Sequence, residues 1–400
     1  MKLAFLNHTL GCEYFTYSFH IPEMFNILFF MRKKTITNGL VIASLILGML
    51  ACRENSESKV KSPERSKQVT IGAIRWDAWS GGDVTKQVER TLGPKKYHDR
   101  LPWFSEVIND STVSINGGYQ EVMDREIGFA ASAGLDYWAF VLYDRNMSMS
   151  EGLKLYLESE QREKINFCLI LHSTLASKGP DWPIERNRII DLMNEPGYQT
   201  VLGGRPLVYA FMGGGFPFER FQELREEAQK SGLDPYYVFM GWNPEEDYKQ
   251  TRGKGFDAVS NYAAGGNMPF FTDLAQKVEN RYWENAAGSE TPYIPLVTPG
   301  WDKSPRQDHP VSWELDAAYH DQEIFPSRAT SAEIAAHLKK ALEFTELHPQ
   351  ICRARSIIIY AWNEYDEGGW IAPTRGPQGA PDSSRLEAIK VVLSQKNAGT

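Results

Sequence analysis

The sequence from residue 69 onward alternates strand-like runs with helix-prone stretches, and this order restricts the possible fold more than any other feature. Strands that alternate with helices pair in parallel, because each helix returns the chain to the edge where the next strand begins. Eight such units in one continuous stretch predict an α/β protein with a (β/α)8 barrel, the TIM barrel. The predicted strands are Val69–Trp76, Leu135–Tyr143, Ile165–Leu171, Pro206–Phe211, Tyr236–Met240, Phe256–Ser260, Tyr293–Val297 and Ser356–Ala361.

The predicted helices fill the intervals between these strands. The clearest is Gln120–Ala133, whose apolar residues recur at helical spacing and which is followed by Gly134, a typical helix stop. No glycine-rich phosphate loop follows the first strand, so the usual mark of a doubly wound nucleotide-binding sheet is missing. No linker-like break interrupts residues 69–395, which predicts a single catalytic barrel. The other predicted helices are Met149–Arg162, Trp182–Asn194, Phe218–Ser231, Phe270–Asn285 and Ser331–His348.

Residues 31–51 have the pattern of a lipoprotein signal peptide. The basic start Met31-Arg32-Lys33-Lys34 precedes an apolar run, Gly39–Leu50, that is too short to span a bilayer comfortably. The next residues resemble a bacterial lipobox and place Cys52 for diacylation after cleavage. Residues 1–30 have no place in a signal peptide, which indicates a start codon assigned too early.

Residues 52–68 are rich in Ser, Lys and Glu and are predicted to form a flexible tether. We therefore expect a lipid-anchored monomer of the cell envelope, on the periplasmic side or at the surface. ATP and nucleotide-activated sugars are not supplied there, which argues against kinases, synthetases and nucleotide-sugar transferases. Residues 1–51 carry four basic and two acidic residues, so their removal changes the formal net charge from −8 to −10. Such an acidic chain is a poor nucleic-acid binder.

Two cysteines follow Cys52, namely Cys168 and Cys352, and each lies in or beside a strand-like run. Buried thiols are expected, with a disulfide between them as the alternative. The spacing matches no metal-binding cysteine pattern. We therefore expect neither a metal nor a cofactor.

The last predicted strand ends in an unusual cluster of carboxylates, Trp362-Asn363-Glu364-Tyr365-Asp366-Glu367, followed by Gly368-Gly369. Carboxylates are strongly hydrated and costly to bury, so the position of three of them directly after a buried strand requires an explanation. Two glutamates three residues apart can accept and donate a proton, and aromatic rings beside them can cover the apolar face of a sugar. The sequence thus favours Glu364 and Glu367 as catalytic residues of a sugar site. A polar turn that caps the strand is the alternative interpretation.

Polar and aromatic residues also follow most of the other predicted strands. The active site of a barrel is built at the carboxyl ends of its strands, so these residues should converge. Their number predicts an open cleft that binds a poly- or oligosaccharide, although for a single residue such as His172 a structural hydrogen bond remains the alternative. The predicted substrate-binding residues are Trp76, Asp77, Tyr143, Asp144, His172, Trp242, Asn243, Tyr262, Trp301, Arg306, Asn363 and Trp370.

Three segments resemble those of glycoside hydrolase family 99 and its relatives. This group includes endo-α-mannosidases, endo-α-mannanases and the WbsX-type proteins of polysaccharide gene clusters. Residues 361–368 resemble the family signature Asn-Glu-Trp-x-Glu-Gly, residues 299–306 are similar to a Pro-Gly-Trp-Asp stretch of the WbsX branch, and residues 134–140 look like its second strand. Tyr365 replaces the usual Trp, and Asp366 stands where the hydrolases often carry His, so the resemblance does not extend to the substrate.

The resemblance implies a role for each glutamate. Glu364 would remove the proton of a sugar 2-hydroxyl, whose oxygen attacks C1 to give a 1,2-anhydro sugar, with retention overall. Glu367 would protonate the leaving oxygen and later activate water, so no carboxylate attacks carbon as in the usual retaining scheme. The acid role requires a raised pKa at Glu367 through burial or the charge of Glu364 or Asp366. Asn363 is expected to hold a sugar hydroxyl or the Glu364 carboxylate, and Arg306 to orient a carboxylate or bind an anionic substituent.

Two other classes of function compete with a hydrolase. The first is a catalytically inactive barrel that binds glycans as a lipoprotein of a polysaccharide-utilisation system, and the presence of both glutamates argues against it. The second is a glycosyltransferase, which conflicts with the export signal and with the missing phosphate loop.

Overall fold

The computed structural model describes residues 68–172, 181–211 and 218–398 of the chain. Eight strands lie in one sheet and run parallel to their neighbours. All eight predicted strands are present, with bounds shifted by up to three residues. They are β1 Thr70–Arg75, β2 Tyr137–Leu142, β3 Asn166–His172, β4 Arg205–Phe211, β5 Tyr236–Gly241, β6 Ala258–Asn261, β7 Leu296–Val297 and β8 Ser356–Ile359.

The sheet curls into a barrel in which each strand pairs with its neighbour in sequence. The first and last strands are paired in register, with Thr70 opposite Ser356 and Ala73 opposite Ile359. The remaining gap, between β6 and β7, is closed by a parallel bridge from Val259 to Tyr293. Strand β7 is shorter than predicted because prolines at 292 and 295 remove the amide donors that a longer ladder would need. The prediction of a (β/α)8 barrel is confirmed.

Helices cover the outside of the barrel, and α2 has the predicted bounds and ends at Gly134 in the left-handed conformation. The helix predicted over Phe270–Asn285 is present as one continuous helical run, residues 271–288, which contains a π-helical turn at Glu279–Trp283. The pattern missed α1, α6, α9 and α11. The helices are α1 Gly82–Leu92, α2 Gln120–Ala133, α3 Glu151–Glu158, α4 Trp182–Met193, α5 Phe218–Lys230, α6 Pro244–Thr251, α7 Phe271–Val278, α8 Glu284–Gly288, α9 Ser304–Asp308, α10 Ser331–Leu347 and α11 Ser384–Ala398.

The predictions for the N-terminal extension, the signal peptide and nearly all of the tether concern residues outside the described part of the chain. No described helix is long and apolar enough to cross a membrane. Cys168 and Cys352 are both buried thiols, which excludes the alternative of a disulfide between them. Within the described ranges, no group of three histidine, cysteine or acidic side chains could hold a metal ion.

The interior of the barrel is packed around Tyr137, a fully buried residue of β2. Its hydroxyl forms hydrogen bonds of 2.9 Å with Tyr209 of β4 and Ser356 of β8, so one side chain links three strands. The ring lies over Gly72 of β1, where a Cβ atom would overlap it. The glycine therefore makes room for the tyrosine that satisfies the polar groups of the barrel interior.

Gly72→Ala should destabilise the protein by about 1–3 kcal/mol, because a new methyl group in a filled core displaces its neighbours. Gly128→Ala in α2 is the matched control, since a Cβ at that position meets nothing within 4 Å. Alanine also favours a helix over glycine by about 0.5–1 kcal/mol. Urea denaturation should therefore show a lower midpoint for the first variant and an equal or higher midpoint for the second. Equal midpoints for both variants would contradict this packing.

Candidate active site

The chain reverses direction directly after β8, and this reversal places the two glutamates. Asn363–Glu364 pairs antiparallel with Gly369–Trp370, and the residues between them form a tight helical turn. Gly368 ends the turn with φ of 80°, a conformation that glycine adopts without strain. The carboxylate cluster is therefore folded back over the carboxyl end of the barrel.

The loop after β7 packs against this turn through its backbone. The amide of Asp302 donates a hydrogen bond of 2.7 Å to the carbonyl of Glu367. A Cβ atom on Gly300 or Gly368 would overlap the other loop, so the close approach requires both glycines. The contact brings Trp301, Lys303 and Arg306 to the glutamates.

Arg306 is buried and binds three carboxylates. Its Nε lies 2.7 Å from Asp366 and its Nη1 lies 2.8 Å from Glu314, while the same Nη1 also donates to Glu367. Asp366 receives a second bond of 3.1 Å from Nη2, which makes this pair bidentate. Arg306, which was expected to orient a carboxylate or to bind an anionic substituent, contacts three carboxylates of the protein itself.

Lys303 adds a second cation to the same cluster. Its ammonium lies 3.1 Å from Glu367 and 2.7 Å from Glu314. Glu314 thus holds both cations from the other side, and their charges lower its pKa to about 2 despite its burial. The Glu367 carboxyl also accepts a hydrogen bond of 2.5 Å from the Tyr360 hydroxyl.

Glu364 lies in a different environment from Glu367. It is 2 % exposed, and its Oε1 accepts a hydrogen bond of 2.9 Å from Tyr262. Its Oε2 is buried and has no hydrogen-bond partner in the described part of the chain. Burial, followed by the negative charge of Glu367, raises the pKa of Glu364 well above its usual range. Arg306 and the Tyr262 hydroxyl oppose this shift but do not cancel it.

Aromatic rings from seven strands surround the two glutamates, and we call them the aromatic rim. Neighbouring members are in contact. The ring centroids of Tyr360 and Tyr262 are 5.7 Å apart, and those of Phe211 and Tyr262 are 4.4 Å apart. Trp76 lies at the other end of this series, where its Nε1 donates a hydrogen bond of 2.9 Å to Tyr143. The rim consists of Trp76, Tyr143, His172, Phe211, Tyr262, Trp301 and Tyr360.

Asn363 and Asp77 form a layer behind the glutamates. The Asn363 side chain accepts a hydrogen bond of 2.9 Å from the amide of Trp76 and donates one of 3.4 Å to Asp77. Asp77 also accepts from Arg75 at 2.9 Å, and burial raises its pKa to about 6. Asn363 was expected to hold a sugar hydroxyl or Glu364, whereas in the structure it joins the ends of β8 and β1.

The side chains of four other predicted residues contact groups other than the two glutamates. Asp144 accepts a hydrogen bond from the amide of Asn146 in a turn, and Asn243 caps the N-terminus of α6. Trp242 is 51 % exposed and contacts Phe211 at the outer edge of the rim. Trp370 is buried, and its ring lies 3.9 Å from the guanidinium carbon of Arg385.

Comparisons with known proteins agree with this architecture. No family model matches the sequence, and no curated protein matches it. Two solved structures of the family 99 endo-α-mannosidase from Bacteroides thetaiotaomicron, one in complex with bis-tris-propane, match the barrel with a TM-score of 0.54 each. The alignments cover 82% of this chain and 97% of those chains, at identities of 14% and 12%. The chain has a fold like that of family 99.

Several residues at the glutamates were not found from the sequence. Tyr360 directly follows β8, and the sequence pattern places it in the buried run of the predicted strand Ser356–Ala361. Lys303 lies within the recognised stretch 299–306, and a lysine between Trp301 and Arg306 could have been noticed. Glu314 and the neighbouring Trp313 lie in a polar loop with no regular pattern, and no signal in the sequence distinguishes them.

Glu364→Gln should stabilise the protein at pH 8 more than at pH 4.5. The folded state raises the pKa of Glu364, so its contribution to stability is fully present below the unfolded pKa of about 4.3. That contribution is lost as the pH rises through the folded pKa, and the neutral amide avoids this loss. Thermal unfolding at both pH values measures the effect. Glu343→Gln, at an exposed position of α10, is the control and should show no such difference between the two pH values.

Proposed function

We propose that the protein is a glycoside hydrolase that acts on a poly- or oligosaccharide, with Glu364 and Glu367 as its catalytic residues. The observation that carries the proposal is the pair of buried carboxyls, in unlike environments, at the carboxyl end of β8 inside the aromatic rim. Aromatic faces bind sugar rings, and two carboxyls in unlike environments can divide the acid and base roles. The fold shared with an endo-α-mannosidase supports the same reaction class.

In this proposal Glu364 is the base. Its Oε2 can accept a proton from a sugar hydroxyl, while Tyr262 holds its other oxygen in place. A raised pKa makes the ionised form a stronger base, which suits the removal of a proton from an alcohol. The 2-hydroxyl loses its proton to Glu364, its oxygen bonds to C1, and the bond from C1 to the leaving oxygen breaks. The product is a 1,2-anhydro sugar, as in the mechanism of glycoside hydrolase family 99, whose motifs this sequence resembles.

Glu367 is the proposed acid, which gives its proton to the leaving oxygen. Lys303, Arg306 and the Tyr360 hydroxyl all contact its carboxyl and hold it in place. Burial and then the charge of Glu367 raise the pKa of Glu364, so the two carboxyls are linked electrostatically. Water then opens the anhydro ring, with Glu367 as the base and Glu364 returning the proton to O2.

Glu367→Gln should reduce turnover of the natural glycan by about 10²–10⁴-fold, because the amide keeps the shape of the side chain but has no proton to transfer. A substrate with a very good leaving group needs little protonation, so it should recover part of this loss. Glu364→Gln should lose a similar factor with both substrates, because the 2-hydroxyl must still be deprotonated. Single-turnover kinetics of both variants with both substrates measure these effects.

A 2-deoxy or 2-O-methyl substrate is the control for the chemistry and should not react with the wild-type enzyme. If the substrate with a very good leaving group restored the turnover of Glu364→Gln instead of that of Glu367→Gln, the assigned roles would be reversed. Full activity of both variants would contradict the proposal. The alternative interpretation would then hold, in which the segment is a polar turn that caps the strand. Binding of glycans without any hydrolysis by the wild type would favour the inactive glycan-binding lipoprotein.

We also propose that the protein is anchored to a membrane of the cell envelope through lipid on Cys52, as the lipobox indicates. Cys52→Ser should move the protein from the membrane fraction to the soluble fraction while activity is kept. A single acyl chain binds a membrane only marginally, so a stable anchor needs several chains. Incorporation of labelled fatty acid measures the modification, and an unlabelled wild-type protein would contradict it. Cys352→Ser is the control and should stay in the membrane fraction.

A further inference from the structure

A cavity of about 320 Å³ lies beside the aromatic rim, at the carboxyl ends of β5 and β6. One wall comes from the residues that follow β5, and the opposite wall comes from α7 and the π-helical turn after it. Such turns occur at functional sites more often than elsewhere. The cavity is lined by Trp242, Asn243, Gly265, Lys277, Arg281 and Tyr282.

Two short chains of contacts connect this cavity to the glutamates. Trp242 lies 6.2 Å from Phe211, whose ring lies 4.4 Å from Tyr262, the residue that donates a hydrogen bond to Glu364. On the other side, the Trp301 ring lies against Gly265, where a Cβ atom would overlap it. Trp301 in turn contacts Tyr360, which binds Glu367. The cavity therefore adjoins the residues that hold the two glutamates.

The charged side chains that line the cavity, Lys277 and Arg281, are both positive. None of its six lining residues is acidic, and no ion pair joins Lys277 or Arg281 to a carboxylate within the described ranges. Lys277 is partly buried and donates a hydrogen bond to the carbonyl of Gly265. Burial and the neighbouring charge of Arg281 both lower the pKa of Lys277. Two cations that line one cavity and form no ion pair with a carboxylate of the described residues can attract an anion.

A second cavity of similar volume does not have this character. Its lining contains Arg328 and Arg385 together with Asp99 and Asp382, so the charges balance. Arg328 is paired with Asp99. The cavity beside the rim also differs in having a half-exposed tryptophan, Trp242, on which a sugar ring can stack.

We propose that the cavity of Lys277 and Arg281 is a subsite for a sugar unit with an anionic substituent, either a sulfate ester or a carboxylate. In this arrangement Trp242 binds the face of the sugar ring and the two cations bind the substituent. The side-chain amide nitrogen of Asn243 contacts a hydroxyl. The substrate is then an acidic glycan. This inference rests on the proposed function, because it places the subsite beside the glutamates of a glycoside hydrolase.

The test uses three matched polymers, namely neutral yeast mannan, the same mannan after partial chemical sulfation, and the same mannan with its primary alcohols oxidised to carboxylates. Binding is measured on the Glu367→Gln protein by isothermal titration at low salt, so that no hydrolysis disturbs it. At least one anionic polymer should bind about tenfold more tightly than the neutral one, since charge-assisted hydrogen bonds are the strong ones. The preference should shrink as salt is added. A stronger effect of the sulfated or of the oxidised polymer identifies the substituent.

Lys277→Met combined with Arg281→Met should remove the preference for the anionic polymers. Lys339→Met is the control, because Lys339 is an exposed lysine on α10, and it should keep the preference. A preference that survives in the double variant, or that is lost in the control, would overturn the inference. Equal binding of all three polymers, or binding of none, would also overturn it. A preference that depends on the cavity, without hydrolysis of any polymer by the wild type, would support the subsite and contradict the proposed function.

Discussion

The buried guanidinium of Arg306 is the interaction on which the rest of the site depends. A cation removed from water is very costly unless carboxylates surround it, and Arg306 meets this requirement with Asp366, Glu367 and Glu314. Asp366 and Glu367 belong to the turn after β8, whereas Arg306 and Glu314 belong to the loop after β7. The ion cluster therefore joins two loops at the carboxyl end of the barrel. Asp366 fixes the direction of the guanidinium through its bidentate pair with Arg306.

The same cluster gives the two glutamates different environments, although only two residues separate them in the sequence. Glu367 contacts the cations Lys303 and Arg306, while Glu364 accepts a hydrogen bond from the Tyr262 hydroxyl and is otherwise buried. Burial raises the pKa of Glu364 against the pull of Arg306. An acid and a base can thus be made from identical side chains, because the surroundings and not the residue type determine where the proton lies.

The distribution of charge and aromatic rings extends this division over the face of the barrel. The chain has a formal net charge of −8, yet Lys277, Arg281, Lys303 and Arg306 all lie beside the aromatic rim. Lys303 and Arg306 are neutralised by carboxylates of the protein itself. Lys277 and Arg281 have no such partners in the described residues. Cations that are already paired serve the architecture of the site, and cations without carboxylate partners are available to a ligand.

The sequence by itself determined the barrel, because hydrophobic runs and helical spacing are local patterns that the chain displays residue by residue. It also predicted a common site for Glu364, Glu367, Tyr262, Trp301 and Arg306, since residues that follow parallel strands meet at one edge. Only the tertiary structure decided which of these side chains touch. It turned Asn363 towards β1 and Trp370 towards Arg385, and it added Tyr360, Lys303 and Glu314. The physical reason is that ion pairs and burial depend on distances between loops remote in sequence, and a local pattern contains no information about those distances.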